Sequence, residues 1–501
     1  MISLKGRCFR QLKKYIRLGE KDNVAVALEN LSKDEIVELD GLKIKIAGDL
    51  PKGHKFSIRE IKKGERIIKY DSIIGEATEE IKVGDWVHTH NVKTLLKPDW
   101  KPEWKDRKAK EVNIRLPERK LWGFKRKNGK AGIRNEIWII PTVGCVNGVL
   151  RKFTQTIRRP EWIDDVKILS HPYGCSQLGG DLDMTKRILC GLARNPNAGG
   201  VLIVGLGCEN LQLDYLREEL KNQENIGFLM LQGVRDEEEA LKGALYELAE
   251  KARAEREECP LSSLIIGVKC GGSDSLSGIT ANPLVGKLSD YITFNGGTVL
   301  MSEIPEIFGA EEEIISRIEE KEVYEKFINV INWFRSYYTK YNQPVYENPS
   351  PGNIKGGITT LKEKSLGAVK KSGNGRVTDV LWYGEEAKRS GVNIVFGPGN
   401  DLVSTTALVG SGATMILFTT GRGTPFEAVV PTIKISTNSE LARRKPNWID
   451  FNAGEIIEGK EIEEALSELI ELVMNVSSGK RTKGELRGFQ EIAIFKDGVI
   501  L

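Results

Sequence analysis

Residues 265–283 read IIGVKCGGSDSLSGITANP. A short apolar run ends at Cys270 and breaks into Gly271, Gly272, Ser273 and Asp274. An apolar run closed by glycine reads as a buried strand ending in a tight turn. Lacking Cβ atoms, Gly271 and Gly272 let backbone N–H groups come close to an anion. The plan recurs upstream. Residues 138–143 run into Gly144-Cys145, 166–170 into His171-Pro172-Tyr173-Gly174-Cys175, and 201–205 into Gly207-Cys208-Glu209. Four cysteines thus each follow a predicted strand. In an open parallel sheet such positions gather on one rim, where ligands bind.

The chain around this stretch is long and mixed. At 501 residues it exceeds one ordinary core, so two or three domains are expected. A formal charge of +4, spread along the chain without a basic tract interleaved with aromatics, argues against a nucleic-acid partner. No apolar run approaches the roughly 18 residues of a membrane span. The basic N-terminus lacks the apolar segment and cleavage site of an export signal, which leaves the cytoplasm as the expected compartment. Seven cysteines, none in CxxC spacing, oppose a disulfide framework or a zinc ribbon and fit a reducing setting.

The expected fold is α/β and multidomain: a small N-terminal all-β domain over residues 1–97, a linker over 98–118, and a parallel-sheet α/β region in two units, 119–347 and 348–501. In the first, NVAVAL from Asn23 and LKIKI from Leu42 alternate with period 2, and EIKKGERIIKY from Glu60 resembles EIKVGDWVHTH from Glu80. The linker is charged and punctuated by proline. Beyond it, apolar strands alternate with helices predicted over 237–257 and 311–326, and with a strand over 298–301. The turn-rich NPSPGNIKGG, residues 348–357, opens the second unit, with strands over 392–396, 415–419 and 429–436 and a helix over 461–476.

Several constellations can carry chemistry. Thiolates suit iron, zinc or an iron–sulfur cluster, so Cys145, Cys175, Cys208 and Cys270 are either metal ligands or small residues packed under tight turns. Cys8, Cys190 and Cys259 read as incidental. His88 and His90, two apart on a predicted strand, point to one face, as paired ligands or acid–base groups require. His54 sits in a turn, and His171 belongs to the cysteine rim. Arg422, between Gly421 and Gly423 and followed by Thr424, is a guanidinium on bare backbone, a good carboxylate clamp or a solvated turn residue. Asn400 and Asp401 are hydroxyl partners or turn formers. GLG at 205–207 lacks the GxGxxG spacing, and P-loop and GxSxG patterns are missing.

Taken together, GHKF (53–56), VHTHN (87–91), GIRNEIWIIPTVGCVNG (132–148), YGCSQLG (173–179), GLGCEN (205–210), CGGSDSLSGITANP (270–283), ENPSPGN (347–353), TTGRGTP (419–425) and NSELA (438–442) resemble the altronate/galactarate dehydratase family. The resemblance covers the chain from about Asp22 onward. It implies an N-terminal β-clip (SAF-like) module and an α/β catalytic body. It implies a hydro-lyase that removes water from a sugar acid, with iron, as Fe2+ or an Fe–S cluster. D-Altronate would yield 2-dehydro-3-deoxy-D-gluconate, with galactarate or another aldonic or aldaric acid as the alternative. A catalytically impaired sugar-acid binder is a further alternative, because the family carries a histidine where this chain has Gly19. On this reading Arg422 and Gly423 take the substrate carboxylate, with Arg134 as a second candidate. Gly271, Gly272, Ser273, Asp274, Asn400 and Thr424 line the substrate site. His54, His88 and His90 supply acid and base, and Cys175, Cys208 and Cys270 hold iron, with Cys145 in reserve. A homodimer is the expected assembly.

Overall fold

The computed structural model describes residues 14–96, 102–114 and 116–501. Cys8 and parts of the linker fall outside them. Residues 14–96 form the predicted β module: short antiparallel ribbons of two to four strands, with Val24–Ala27 and Lys55–Ser57 at the centre of one and Trp86–Val87 at its edge. The two similar segments pair with each other, as Ile61 and Ile81 exchange backbone hydrogen bonds of 2.9 Å. Period-2 alternation buries one face, which packs Ala25, Val37, Ile44 and Phe56 into a small core of its own. Ile61, Ile67, Ile74 and Val87 instead join the core of the body, so the module is seated on the body rather than hung from the linker.

The body contains two parallel sheets. The first orders its strands Asp165–Ile168, Glu136–Pro141, Ala198–Gly205 and Ile226–Met230. The second has seven strands: Val377–Leu381, Gly391–Val395, Thr298–Met301, Ile265–Cys270, Met415–Thr420, Thr432–Ser436 and Phe451–Asn452. Helices cover both, so central strands such as Ile265–Cys270 are buried throughout and read as largely apolar runs, here broken once by Lys269. The seven-stranded sheet interleaves strands from before and after residue 350. The expected boundary at 347/348 therefore cuts through one sheet, and the division between the α/β units lies before Ile265. Two further expectations are corrected. The predicted helix over 311–326 is two helices, Glu311–Ile315 and Lys321–Lys340. The segment at 237–257 stops as a helix at Lys251. Among the described residues no helix is long and apolar enough to cross a membrane.

Candidate active site

All strands of the seven-stranded sheet run parallel, so their C-terminal ends share an edge. Gly271–Asp274, Glu303, Asn400, Arg422 and Asn438 all follow these ends. Arg422 N and Gly421 N donate to Gly272 O at 3.0 and 3.1 Å, which joins two of the rim loops. The Arg422 side chain is exposed and lightly committed: Nη1 donates to Gly352 O at 3.3 Å. Gly423 N donates to Thr420 Oγ1 at 2.9 Å, and Thr424 Oγ1 accepts from Phe426 N at 3.2 Å. Asp274 accepts from Thr437 Oγ1, Asn438 Nδ2, Ser277 N and Ser277 Oγ; burial still pushes its carboxyl above the ordinary range. Ser273 O accepts from Asn353 Nδ2 at 2.8 Å. Asn400 caps the helix Asp401–Gly410 through Oδ1, so the turn-former reading describes its carbonyl.

The module is delivered onto this edge. Gly357, at φ +93°, lies so close to the module that a Cβ there would stand 2.3 Å from Gly53 O. His54 Nδ1 accepts from Trp86 Nε1 at 3.1 Å, which leaves the proton on Nε2, facing Lys355 O at 3.2 Å. His54 is buried, not the accessible imidazole expected, and burial lowers its pKa. His88 is 8% exposed, stacks on Trp86 (5.3 Å, 7°) and meets His54 edge-on at 4.9 Å. Its Nδ1 is buried without a partner, and burial, then Lys55 and His54, bring it down to about 4. His88 and His90 do not alternate on a strand. The strand ends at Val87, and a turn closed by Asn91 places exposed His90 against the edge of Trp86.

Beneath the seam lies a contact that the sequence reading missed. Lys55 Nζ reaches Gly357 O (2.8 Å) and Glu363 (3.0 Å), while Lys69 Nζ reaches Glu363 Oε1 (2.7 Å) and Ser275 Oγ (3.4 Å). All three charged groups are buried. Against the cost of burial, the two lysines hold Glu363 well below the usual carboxylate range.

Other expectations are corrected by position. Arg134 precedes its strand and so lies at the opposite edge. Its guanidinium is 1% exposed and spent on Glu485 (2.8 and 2.9 Å), Val476 O, Lys480 O and Ile133 O. His171 fastens its loop: Nε2 bonds Pro141 O at 2.7 Å and Nδ1 accepts from Tyr173 N. Gly19 packs on Asp71, whose Oδ1 would stand 2.4 Å from a Cβ, so a histidine there requires that loop to move.

The cysteines divide between the two sheets instead of sharing one rim. Cys270 is buried in the second, with Lys371 Nζ 2.7 Å from its Sγ and Glu306 Oε2 at 3.5 Å. Cys270, Glu303 and Glu306 place one ligand atom each within 4.8 Å of one another. Yet Glu303 is paired with Lys269 (2.5 Å) and Lys371 (3.0 Å), and Glu306 with Lys364 (2.7 Å). Burial pushes the Cys270 thiol up to about 12. A dication would meet ammonium groups already bound to its carboxylates, so this cluster does not fit iron. Cys145, Cys175 and Cys208 follow three adjacent strands of the first sheet and are exposed. Their loops are joined by Gly144 N to Tyr173 O (2.9 Å) and Ser176 N to Asn210 Oδ1 (2.7 Å). Exposed thiols suit a soft metal by type, but among the described residues the ligand atoms that come within 4.8 Å of one another are those of Cys270, Glu303 and Glu306, not those of these three.

Three family models cover nearly all of the chain. They are the altronate/galactarate dehydratase SAF domain over residues 13–95, the second domain of D-galactarate dehydratase/altronate hydrolase over 123–253, and the C-terminal domain of D-galactarate/altronate dehydratase over 261–500. The chain belongs to the altronate/galactarate dehydratase family. Within the family it is 46% identical to the altronate dehydratase of Bacillus subtilis (strain 168), over 98% of this chain and 100% of that one. It is 45% identical to the altronate dehydratase of Escherichia coli (strain K12), over 97% and 100%. Galactarate dehydratase (L-threo-forming) of Escherichia coli (strain K12) is 34% identical over 93% of each. The family boundary between residues 253 and 261 matches the division between the sheets.

Proposed function

We propose that the chain is a hydro-lyase that removes water from D-altronate to give 2-dehydro-3-deoxy-D-gluconate. The observation that carries this is the end-to-end identity of 46% and 45% to two altronate dehydratases, against 34% to a galactarate dehydratase. The geometry supports the following roles. Arg422 receives the substrate carboxylate from the open side of the rim. His88, neutral at physiological pH, takes the proton from C2. The C2–H pair moves first toward the carboxylate oxygens, giving an enediolate, and then forms the C2–C3 double bond as the C3–O bond breaks, and His90 gives the proton with which hydroxide leaves as water. The enol then tautomerises to the 2-keto acid. His54, both nitrogens engaged, orients its neighbours.

Iron is the cofactor that fits the reading, with Cys145, Cys175 and Cys208 as the residues that would hold it. When bound, it supplies Lewis acidity toward an oxygen leaving carbon. Free thiols at Cys145, Cys175, Cys190, Cys208, Cys259 and Cys270 support a reducing, cytoplasmic setting. The test is an anaerobic assay of iron-reconstituted protein against altronate, galactarate and other sugar acids, reading 2-keto-3-deoxy product. Altronate is expected to turn over fastest. Release of no 2-keto acid from any of them overturns the proposal.

A further inference from the structure

One short helix, Pro351–Lys355, joins the two halves of the proposed site. Its start is pinned: Ser350 N and Oγ donate to Asn353 Oδ1 at 3.1 and 2.9 Å, and Asn353 Nδ2 donates to Ser273 O of the rim at 2.8 Å. Its end is pinned too, as Gly356 O accepts from Ser275 N at 2.8 Å. Toward the body, Gly352 O takes Arg422 Nη1 at 3.3 Å. Toward the module, Lys355 O faces His54 Nε2 at 3.2 Å, and the His54 ring is 4.9 Å from that of His88. Residue 355 thus stands between the carboxylate anchor and the histidine cluster.

Positions 352 and 355 are three apart, so they share one face of the helix, with side-chain origins about 5–6 Å from each other. Gly352 leaves its share of that face bare, and Arg422 lies over it. The Arg422 Nε and Cδ atoms are 3.6 and 3.8 Å from where a Cβ on Gly352 would stand. Lys355 therefore leaves the helix beside the guanidinium, within the span of its four-carbon stem. Both side chains are exposed at the open rim. Among the described residues the Lys355 ammonium has no hydrogen-bond or ion-pair partner. Its neighbours differ. Lys364 is paired with Glu306, Lys69 with Glu363, and Lys269 with Glu303 and Asp401. Arg134, expected as a second cation for the carboxylate, is spent on Glu485 at the opposite edge.

We propose that Lys355 is a catalytic residue that acts beside Arg422 on the C1 oxygens of the sugar acid and meets the second negative charge as the carboxylate becomes an enediolate. The proposal rests on the dehydration reading. The C2–H bond breaks, its proton goes to His88, and its electron pair moves to the C1 oxygens, turning a monoanion into a dianion. C1 is bonded to C2, so this charge develops between the group that anchors the carboxylate and the group that takes the proton. Arg422 alone balances the monoanion. An ammonium uncommitted beforehand gains more from the dianion than from the monoanion, and that difference lowers the barrier.

The test uses the full-length protein, D-altronate, and the analogue in which a phosphonate replaces the carboxylate. In mildly alkaline buffer that analogue is a dianion, and it is titrated calorimetrically without turnover. Lys355→Met is expected to lower kcat by about 10- to 100-fold with KM within about threefold, and to weaken phosphonate binding by a similar factor. Lys355→Arg keeps the charge and is expected to recover most of both losses. Thermal melts of Lys355→Met should match the wild type, because the side chain is exposed. Wild-type turnover with kcat and phosphonate affinity unchanged in Lys355→Met overturns the assignment and leaves the dehydration reading in place. If the wild type binds the phosphonate more tightly than Lys355→Met yet forms no 2-keto acid from altronate, the pair of cations stands and the dehydration reading falls.

Discussion

Replacing Glu363 by glutamine removes the one carboxylate shared by Lys55 and Lys69 and keeps its shape. The Thr359 backbone amide and hydroxyl, which donate to Glu363 Oε2 at 2.8 and 2.6 Å, still find an acceptor in the amide oxygen. Lys55 keeps that oxygen and Gly357 O but loses the opposing charge, and Lys69, which meets Oε1, loses its carboxylate acceptor; both lysines are fully buried. Removing one partner of a buried pair costs about 3–5 kcal/mol. The cost has a ceiling: at pH 7 a lysine sheds its proton rather than stay charged, for about 5 kcal/mol measured from its ordinary pKa. The seam is therefore expected to loosen by about 3–5 kcal/mol, or roughly 10²- to 10⁴-fold in local opening. Hydrogen exchange of the backbone over residues 353–360, read against the remote strand Thr298–Met301, measures this. The sign with pH is fixed. In the variant the seam lysines have depressed pKa values, so the opened state binds more protons and closure strengthens as pH rises. The deficit should shrink by up to about 1.4 kcal/mol per pH unit for each neutralised lysine. Glu363→Asp, which keeps the charge, should recover part of the loss. A deficit below about 1 kcal/mol at pH 7, or one that stays flat between pH 7 and 9.5, refutes the reasoning.

Other consequences are as direct. Arg422→Ala should raise KM for altronate by about ten- to a hundredfold and leave kcat within a few-fold, because a charge-assisted contact to a ground-state carboxylate is lost; steady-state kinetics decide it. His88→Gln should lower kcat by about 10²- to 10⁴-fold. In the wild type the acid limb of kcat/KM should fall near pH 4 rather than 6.5, since His88 has its pKa depressed to about 4. The same depression makes the fold acid-sensitive. Stability is complete above about pH 6.5 and falls by about 3 kcal/mol toward pH 4, where the unfolded chain binds a proton that buried His88 refuses; thermal melts across that range test it. Serine at Cys145, Cys175 or Cys208 should lower iron content after anaerobic reconstitution, whereas Cys270→Ser should not; equal iron loss in all four variants would return Cys270 to the metal site.

What could be read from the chain follows from which forces act locally. Parallel strands buried on both faces appear as apolar runs, so Ile265–Cys270, Thr298–Met301 and Met415–Thr420 were legible, and the glycine turns marked the edge that ligands use. Sheet membership was not legible. Ile266 pairs with Met415, some 150 residues away, and nothing in either run specifies that partner. This is why four similar strand ends looked like one rim when they belong to two sheets. Arg134 was misplaced for a different reason: it precedes its strand, and chain polarity alone puts it at the edge opposite the cysteine loops.

The buried lysines are the instructive omission, because a signal for them existed. In Arg66–Lys69 the inward phase holds Ile67 and Lys69, and Lys269 stands inside the otherwise apolar Ile265–Cys270. A lysine in the buried phase of a strand must be paired or functional, since its desolvation is not offset by packing. Lys269 meets Glu303 at 2.5 Å and Asp401 at 2.8 Å, so its charge is balanced. Lys69 shares Glu363 with Lys55, and Lys370 stands near with no carboxylate in contact. The same pattern in the sequence thus divides into a structural lysine and a seam with charge to spare, and only the three-dimensional count of carboxylates tells them apart.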